Sequence, residues 1–177
     1  AHASAEAEQA ATALGAQSSA SGNGSTAVGA NANSIGPGSL AAGFNALSVG
    51  EASVALGANS GAGGQYSAAV GNGSRATGKS SAAFGNNASA RGASALAIGD
   101  SSAASGDGSL AMGVAARSTD ANTIAMGTYA GATAIGAIAM GSLASASGNY
   151  SLALGSTYAD LLPGNVIYIG NTVASGY

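Results

Sequence analysis

Residues 53–66 read SVALGANSGAGGQY, and residues 67–80 repeat the pattern as SAAVGNGSRATGKS. Each 14-residue unit holds two pentads that end in glycine, and two residues follow each pentad. Small and large side chains alternate within a pentad, which is the period of a β-strand. The two-residue links include turn formers such as Asn72-Gly73. The pattern therefore predicts a coil made of strand, corner, strand and corner.

The unit recurs about eleven times along the 177-residue chain. A coiled coil, the other structure with a seven-residue period, is excluded because each glycine in a helix costs about 1 kcal/mol. Successive coils are expected to stack about 4.8 Å apart, as neighbouring strands of a sheet do. We therefore predict an all-β fold, a parallel β-roll (solenoid) of 14-residue coils.

The corners of the roll are predicted from the glycine that ends each pentad, because glycine readily adopts the positive φ of a tight corner. Two positions on this grid hold other residues, Asp120 and Ala134. Aspartate tolerates a positive φ, whereas alanine does not. We therefore expect a local irregularity at Ala132–Gly136, with Gly136 taking over the corner.

The central residue of the first strand is alanine in every unit, and that of the second strand is alanine or serine. A position that accepts only the smallest side chains is sterically confined. The two rows are therefore predicted to face each other across a thin roll. The opposite register, with the large residues inside, is the alternative; it explains the charge-free first strand less well. The predicted interior row of the first strand is Ala27, Ala41, Ala55, Ala69, Ala83, Ala97, Ala111, Ala125, Ala139 and Ala153.

The flanking positions of the first strand then point outward, and they are apolar and uncharged. Such a face is unstable in water, and the chain holds no other element long enough to cover it. Another copy of the chain must cover it, in closed cyclic symmetry, and the residues alone leave dimer and trimer open. The predicted subunit interface is Val28, Val54, Leu56, Val70, Phe84, Leu96, Ile98, Leu110, Met112, Ile124, Met126, Ile138, Met140, Leu152 and Leu154.

The outward positions of the second strand are mostly polar and predict a solvated face. Three aliphatic residues in adjacent coils interrupt it and predict a small docking patch. All four cations of the chain also fall on this strand or its turn, and they serve either solubility or the docking of acidic ligands. The candidate ligand-binding residues are Ile35, Leu47, Val49, Arg75, Lys79, Arg91 and Arg117.

The composition excludes several classes of function. Only four cations and a net charge of −3 argue against nucleic acid as a partner. The absence of cysteine excludes disulfides and thiolate metal sites. The single histidine, His2, lies in a terminal segment, which argues against a catalytic triad. We predict no enzymatic activity, no cofactor, no metal site and no membrane contact by this chain, since no apolar run is long enough for a membrane helix.

The pattern Ser-x-Ala-x-Gly-x-x-Ser/Ala-x-Ala/Ser-x-Gly, best matched at residues 53–60 and 67–74, resembles the head repeat of YadA-like trimeric autotransporter adhesins. The resemblance implies a left-handed β-roll and an obligate homotrimer on the bacterial cell surface. It also implies binding to host matrix proteins (collagen or similar), to host cell-surface receptors or to the same protein on other cells.

The resemblance further predicts the organisation of the chain. Residues 11–158 are the head repeats, residues 1–10 are an N-terminal cap or a partly disordered segment, and residues 159–177 are a capping strand or the start of a connection to a stalk. Within the last segment, Val166–Gly170 is one more strand-like run. Anchoring in the outer membrane would depend on a C-terminal region outside this chain.

The sequence thus predicts a surface-exposed adhesin head without catalysis. A structural spacer or autoagglutination module without a specific ligand is the first alternative. An ice-binding solenoid is the second, and it is less favoured because Thr26, Thr77 and Thr119 do not form one flat rank.

Overall fold

The computed structural model describes residues 2–5, 10–155, 158–159 and 167–169 of the chain. It shows short strands stacked into two parallel sheets of 12 strands each, with the odd-numbered strands in one sheet and the even-numbered strands in the other. The first sheet contains β1 (Ser4–Ala5), β3 (Ser19–Ala20), β5 (Asn33–Ser34), β7 (Leu47–Ser48), β9 (Gly61–Ala62), β11 (Arg75–Ala76), β13 (Ser89–Ala90), β15 (Ala103–Ala104), β17 (Arg117–Ser118), β19 (Gly131–Ala132), β21 (Ser145–Ala146) and β23 (Tyr158–Ala159). The second contains β2 (Thr12–Leu14), β4 (Thr26–Val28), β6 (Leu40–Ala42), β8 (Val54–Leu56), β10 (Ala68–Val70), β12 (Ala82–Phe84), β14 (Leu96–Ile98), β16 (Leu110–Met112), β18 (Ile124–Met126), β20 (Ile138–Met140), β22 (Leu152–Leu154) and β24 (Ile167–Ile169).

This architecture confirms the prediction of a parallel β-solenoid. The strand predicted within Val166–Gly170 is present as β24, which pairs with β22. No helix in the described part of the chain is long and apolar enough to cross a membrane.

The register follows the 14-residue repeat. Ala55 pairs with Ala69, and Ala69 pairs with Ala83. Hydrogen bonds between coils continue through the corners, where the N–H of Gly73 donates to the carbonyl oxygen of Ala58 over 2.9 Å. Each coil is therefore fixed to its neighbour in the corners as well as along the strands.

Alanine and serine, together with Thr123, fill the interior of the roll. The central alanines of β4 and of the even-numbered strands up to β22 are at most 1% exposed, and the facing residues of the odd-numbered strands are equally buried. Ala55, for example, is buried, whereas Val54 and Leu56 on either side of it are half-buried. Successive side chains of a strand point to opposite faces, so the bulky residues point outward. The alternative register, with the large residues inside, does not occur.

The two kinds of corner need glycine for different reasons. Gly57, which ends an even-numbered strand, has φ +126°, and a Cβ there would lie 2.6 Å from the carbonyl oxygen of Gly71. Gly78 follows an odd-numbered strand without a positive φ, but a Cβ there would overlap the carbonyl oxygen of Gly92 in the next coil. The prediction that every terminal glycine supplies a positive φ was therefore right for only one of the two corners.

The irregularity predicted at Ala132–Gly136 is absent, and that prediction was wrong. Asp120 and Ala134 follow odd-numbered strands, whose corner does not use a positive φ, and neither residue has one. The left-handed conformation belongs instead to the second residue of each two-residue turn. Gly136 occupies that position with φ 66°, as Asn122 does one coil earlier with φ 56°.

Candidate functional site

The roll presents two outward faces of different chemistry. The apolar sheet face consists of the outward side chains of the even-numbered strands. The polar sheet face consists of the outward side chains of the odd-numbered strands and of the residue that follows each of them. On this second face Arg75 and Thr77 are exposed, while Ala76 between them is buried.

The apolar sheet face is built from two ladders of stacked side chains. Leu96 pairs with Leu110 in one ladder, and Ile98 pairs with Met112 in the other. From β14 to β22 both ladders contain only leucine, isoleucine and methionine. The structure places every side chain of the predicted subunit interface on this face, with Phe84 40% exposed.

Two more side chains belong to the same ladders but are absent from the predicted interface. Leu14 is 65% exposed and precedes Val28 in its ladder. Leu40 lies in the other ladder, between Thr26 and Val54. Both fall on the 14-residue grid, so the repeat itself was the signal that could have identified them.

Large apolar residues also occupy several corners near the C-terminal end of the roll. They extend the apolar sheet face around both of its edges, and the most exposed of them is Tyr150, at 67%. These residues were not predicted, because they lie in two-residue links that were assigned only as turns. The residues are Val114, Tyr129 and Leu143 after even-numbered strands, and Ile135 and Tyr150 before them.

The predicted docking patch comes together on the polar sheet face. Ile35 and Val49 occupy equivalent positions in adjacent coils, since the N–H of Ile35 donates to the Ser48 carbonyl and the N–H of Val49 to the Ala62 carbonyl. Leu47 lies two residues before Val49 on the same face. All three side chains are exposed.

The four cations divide into a group and a single residue. Arg75, Lys79 and Arg91 lie on two adjacent coils, whereas Arg117 lies three coils from Arg75 in the same ladder. All four are exposed. Within the described residues none of their side chains forms an ion pair or a hydrogen bond, so their charges are available to a ligand.

A notch separates the aliphatic patch from the cations. Its floor is β9 and the residue after it, where Gly61 and Gly63 leave both outward positions without a side chain. A Cβ at Gly61 would meet nothing within 4 Å. The open space measures about 410 Å³. We call it the glycine notch. Its floor is Gly61 and Gly63, one wall is Leu47 and Val49, and the other wall is Arg75 and Thr77.

A pair of asparagines lines one end of the notch. The Nδ2 of Asn45 donates to the Oδ1 of Asn59 over 3.3 Å, from one coil to the next. Sequence reasoning named both side walls but not the notch, because a glycine at an outward position gives no signal until the neighbouring coils are placed beside it.

Three acidic side chains bridge adjacent coils at the corners. The Oε2 of Glu51 accepts a hydrogen bond from Gln65 over 2.6 Å, and the Oδ1 of Asp100 accepts one from Asn86 over 3.0 Å. Asp107 accepts the backbone N–H of Ala93 over 2.8 Å. Among the described residues, no group of three histidine or acidic side chains is arranged to hold a metal ion.

Comparison with known proteins matches nearly the whole roll. The family model described as YadA head domain repeat (2 copies) matches residues 7–32, 34–60, 48–74, 62–88, 76–102, 90–113, 104–130 and 132–157. Among solved structures, the crystal structure of the collagen-binding domain of the Yersinia adhesin YadA is similar, with a TM-score of 0.62 and 26% sequence identity. The match covers 93% of this chain and 81% of that one. No curated protein sequence matches the chain.

Proposed function

Because the chain belongs to the YadA head-domain family, we propose that it is a surface-exposed adhesin head that binds host matrix proteins such as collagen and performs no catalysis. The observation that carries this proposal is the match to a collagen-binding domain over 93% of the chain. The same relationship supports a location on the bacterial cell surface, with an outer-membrane anchor in another region of the protein.

The head is proposed to act as a homotrimer that buries the apolar sheet face. From β14 to β22 this face presents ten leucine, isoleucine and methionine side chains, all on straight ladders. They are already partly covered in the single chain, so burying the rest gains on the order of 1 kcal/mol each. Cyclic assembly covers the whole length of such a face, because each copy presents the same ladders to its neighbours.

Ligands are proposed to bind to the polar sheet face. Every strand from β3 to β21 pairs with a neighbour on both sides, so its backbone groups are not free to bind another strand. Recognition must therefore use side chains. Three of the four cations (all but Lys79, which lies in a turn) and the predicted aliphatic patch are exposed on this face. In a trimer, three such faces bind together, and weak contacts gain affinity by multivalency.

Binding of the purified chain to immobilised triple-helical collagen tests this function. We expect concentration-dependent binding by biolayer interferometry, with gelatin, fibronectin and laminin measured in parallel and an albumin coat as the blank. Absence of binding to all four matrix coats at high micromolar concentration would contradict the adhesin function. That result would favour a spacer or a self-association module.

The ice-binding alternative gains no support from the placement of threonine. Among the described outward positions of the polar sheet face, only Thr119 and Thr133 are adjacent threonines, and Thr26 lies on the opposite face. A thermal-hysteresis measurement on the purified chain is expected to give no effect.

A further inference from the structure

We propose that the glycine notch binds an extended protein segment by two of its side chains, one apolar and one acidic, spaced two residues apart. The proposal rests on the adhesive function proposed above and adds to it a site and a ligand chemistry. The ligand's apolar side chain contacts Leu47 and Val49, and its carboxylate pairs with Arg75.

The shape of the notch is particular to one coil. From β3 to β21, β9 is the one odd-numbered strand with glycine at both outward positions. Neither glycine is forced by the backbone, since neither has a positive φ and neither would bring a Cβ into a clash. The fold therefore does not require glycine at either position, and the absence of side chains there leaves space for a side chain of a ligand.

The two walls of the notch differ in chemistry. Leu47 and Val49 present exposed aliphatic surface on one side. Arg75 presents on the other side a guanidinium that has no partner within the described residues. The outward positions of β3 to β21 include no aspartate or glutamate, so the polar sheet face does not neutralise this charge itself. A guanidinium that is free of partners and adjoins an apolar surface fits a carboxylate with an apolar neighbour.

The spacing of the walls selects the spacing of the ligand's side chains. Leu47 and Arg75 lie two strands apart in one ladder, which is roughly 10 Å between backbones. Side chains at positions i and i+2 of an extended segment point to the same side and are roughly 7 Å apart. Since the side chains of both walls line the open space and narrow this distance, such a pair spans the notch. The aliphatic wall favours a protein segment over a sulfated glycan, which has no apolar side chain to place there.

Binding of short peptides to the whole chain tests the site directly. The probe is an acetylated and amidated heptapeptide, Gly-Ser-Leu-Ser-Glu-Ser-Gly, and its two matched peptides replace Glu by Gln or Leu by Ser. We expect amide NMR shifts centred on Gly61, Gly63 and Arg75. Each matched peptide should bind about tenfold more weakly, because the Gln peptide loses a charge-assisted hydrogen bond and the Ser peptide loses the burial of an apolar side chain. Equal binding of all three peptides, or shifts centred elsewhere, would overturn the proposal.

The repeat provides matched control variants. Gly61→Leu fills the notch, and Gly131→Leu places the same side chain at the same position five coils away, where a Cβ also meets open space. Arg75→Gln removes the cation of the notch, and Arg117→Gln removes one from the same ladder three coils away. We expect Gly61→Leu and Arg75→Gln to bind the peptide about tenfold more weakly than the wild type. Their controls, Gly131→Leu and Arg117→Gln, should bind it like the wild type. If Gly61→Leu fails to fold, Arg75→Gln still decides the matter.

Collagen-coated surfaces separate this proposal from the adhesive function. If the wild type binds the coat but not the peptide, the notch proposal is wrong and the function stands. If the wild type binds the peptide through the notch but binds none of the matrix coats, the proposed function fails while the site stands. Suppose that the chain binds heparin but not the peptide, and that Arg75→Gln weakens heparin binding whereas Gly61→Leu does not. The ligand is then a polyanion and not a protein segment, and the proposal is wrong.

Discussion

The hydroxyl oxygens of Ser48 and Ser53 lie 2.6 Å apart inside the roll, and the Ser53 hydroxyl donates to the carbonyl oxygen of Gly50, also over 2.6 Å. Because the one proton of Ser53 is directed to Gly50, Ser48 donates to Ser53. Ser48 belongs to β7 and Ser53 directly precedes β8, so this hydrogen bond joins the two sheets of the roll. The interior is thus so thin that two of the smallest side chains span it.

Replacing Ser48 and Ser53 by alanine should have unequal effects. Ala62 and Ser67 are the equivalent residues one coil later, so Ser48→Ala gives an alanine–serine pair that the roll already contains. We therefore expect a loss of at most about 1 kcal/mol in the free energy of unfolding. Ser53→Ala leaves the buried Ser48 hydroxyl without its acceptor and should cost about 1–3 kcal/mol. Urea denaturation followed by circular dichroism measures both. Equal losses would contradict the assignment of donor and acceptor.

A larger side chain in the interior should force the two sheets apart. Ala69→Leu places three extra carbons between the sheets, and we expect a loss of at least about 1–3 kcal/mol, with a clear fall in melting temperature. Ala68→Leu, one residue earlier on the same strand, points outward and is the matched control. It should melt within a few degrees of the wild type. Tolerance of both changes would show that the interior is not sterically closed.

Alanine in place of glycine should distinguish required glycines from unrequired ones. Gly78→Ala puts a Cβ against the carbonyl oxygen of Gly92, and we expect severe loss of stability or failure to fold. Gly61→Ala meets open space at an ordinary φ, and it should be neutral or stabilise the fold by about 0.4–1 kcal/mol. Thermal melts of the two variants test the steric account of the corners. A Gly78→Ala variant as stable as the wild type would contradict it.

A charge on the apolar sheet face should prevent assembly without unfolding the coil. Met126→Asp buries an unpaired carboxylate in the proposed subunit interface, which is strongly unfavourable. We expect the assembled form to dissociate at micromolar concentration, as measured by light scattering after size exclusion. Thr133→Asp on the polar sheet face is the control and should assemble normally. If Met126→Asp assembles like the wild type, the interface lies elsewhere.

Much of this fold could be predicted because the repeat supplies many copies of each structural position in one chain. Alanine at the centre of every first strand, as at Ala55 and Ala69, predicted the interior row, and the apolar positions beside it predicted the outward ladders. The strand period and the glycine grid together predicted the 14-residue coil.

The remaining features depend on contacts between coils, which a strand pattern does not contain. The requirement for Gly78 arises from the carbonyl oxygen of Gly92, so it could not be separated by sequence from the φ requirement of Gly57. The glycine notch likewise exists only because the coils of Leu47 and Arg75 flank the coil of Gly61. The apolar corners, such as Tyr129, were missed because turn positions were assigned by their usual residues.

The mass of the wild-type chain in solution tests the central claim most directly, since a roll closed by alanine must turn its large apolar side chains outward for other copies to cover. Sedimentation velocity from high micromolar to low nanomolar concentration should give a folded particle of about three times the 16.2 kDa chain mass. A folded, soluble single chain across the whole concentration range would contradict the account.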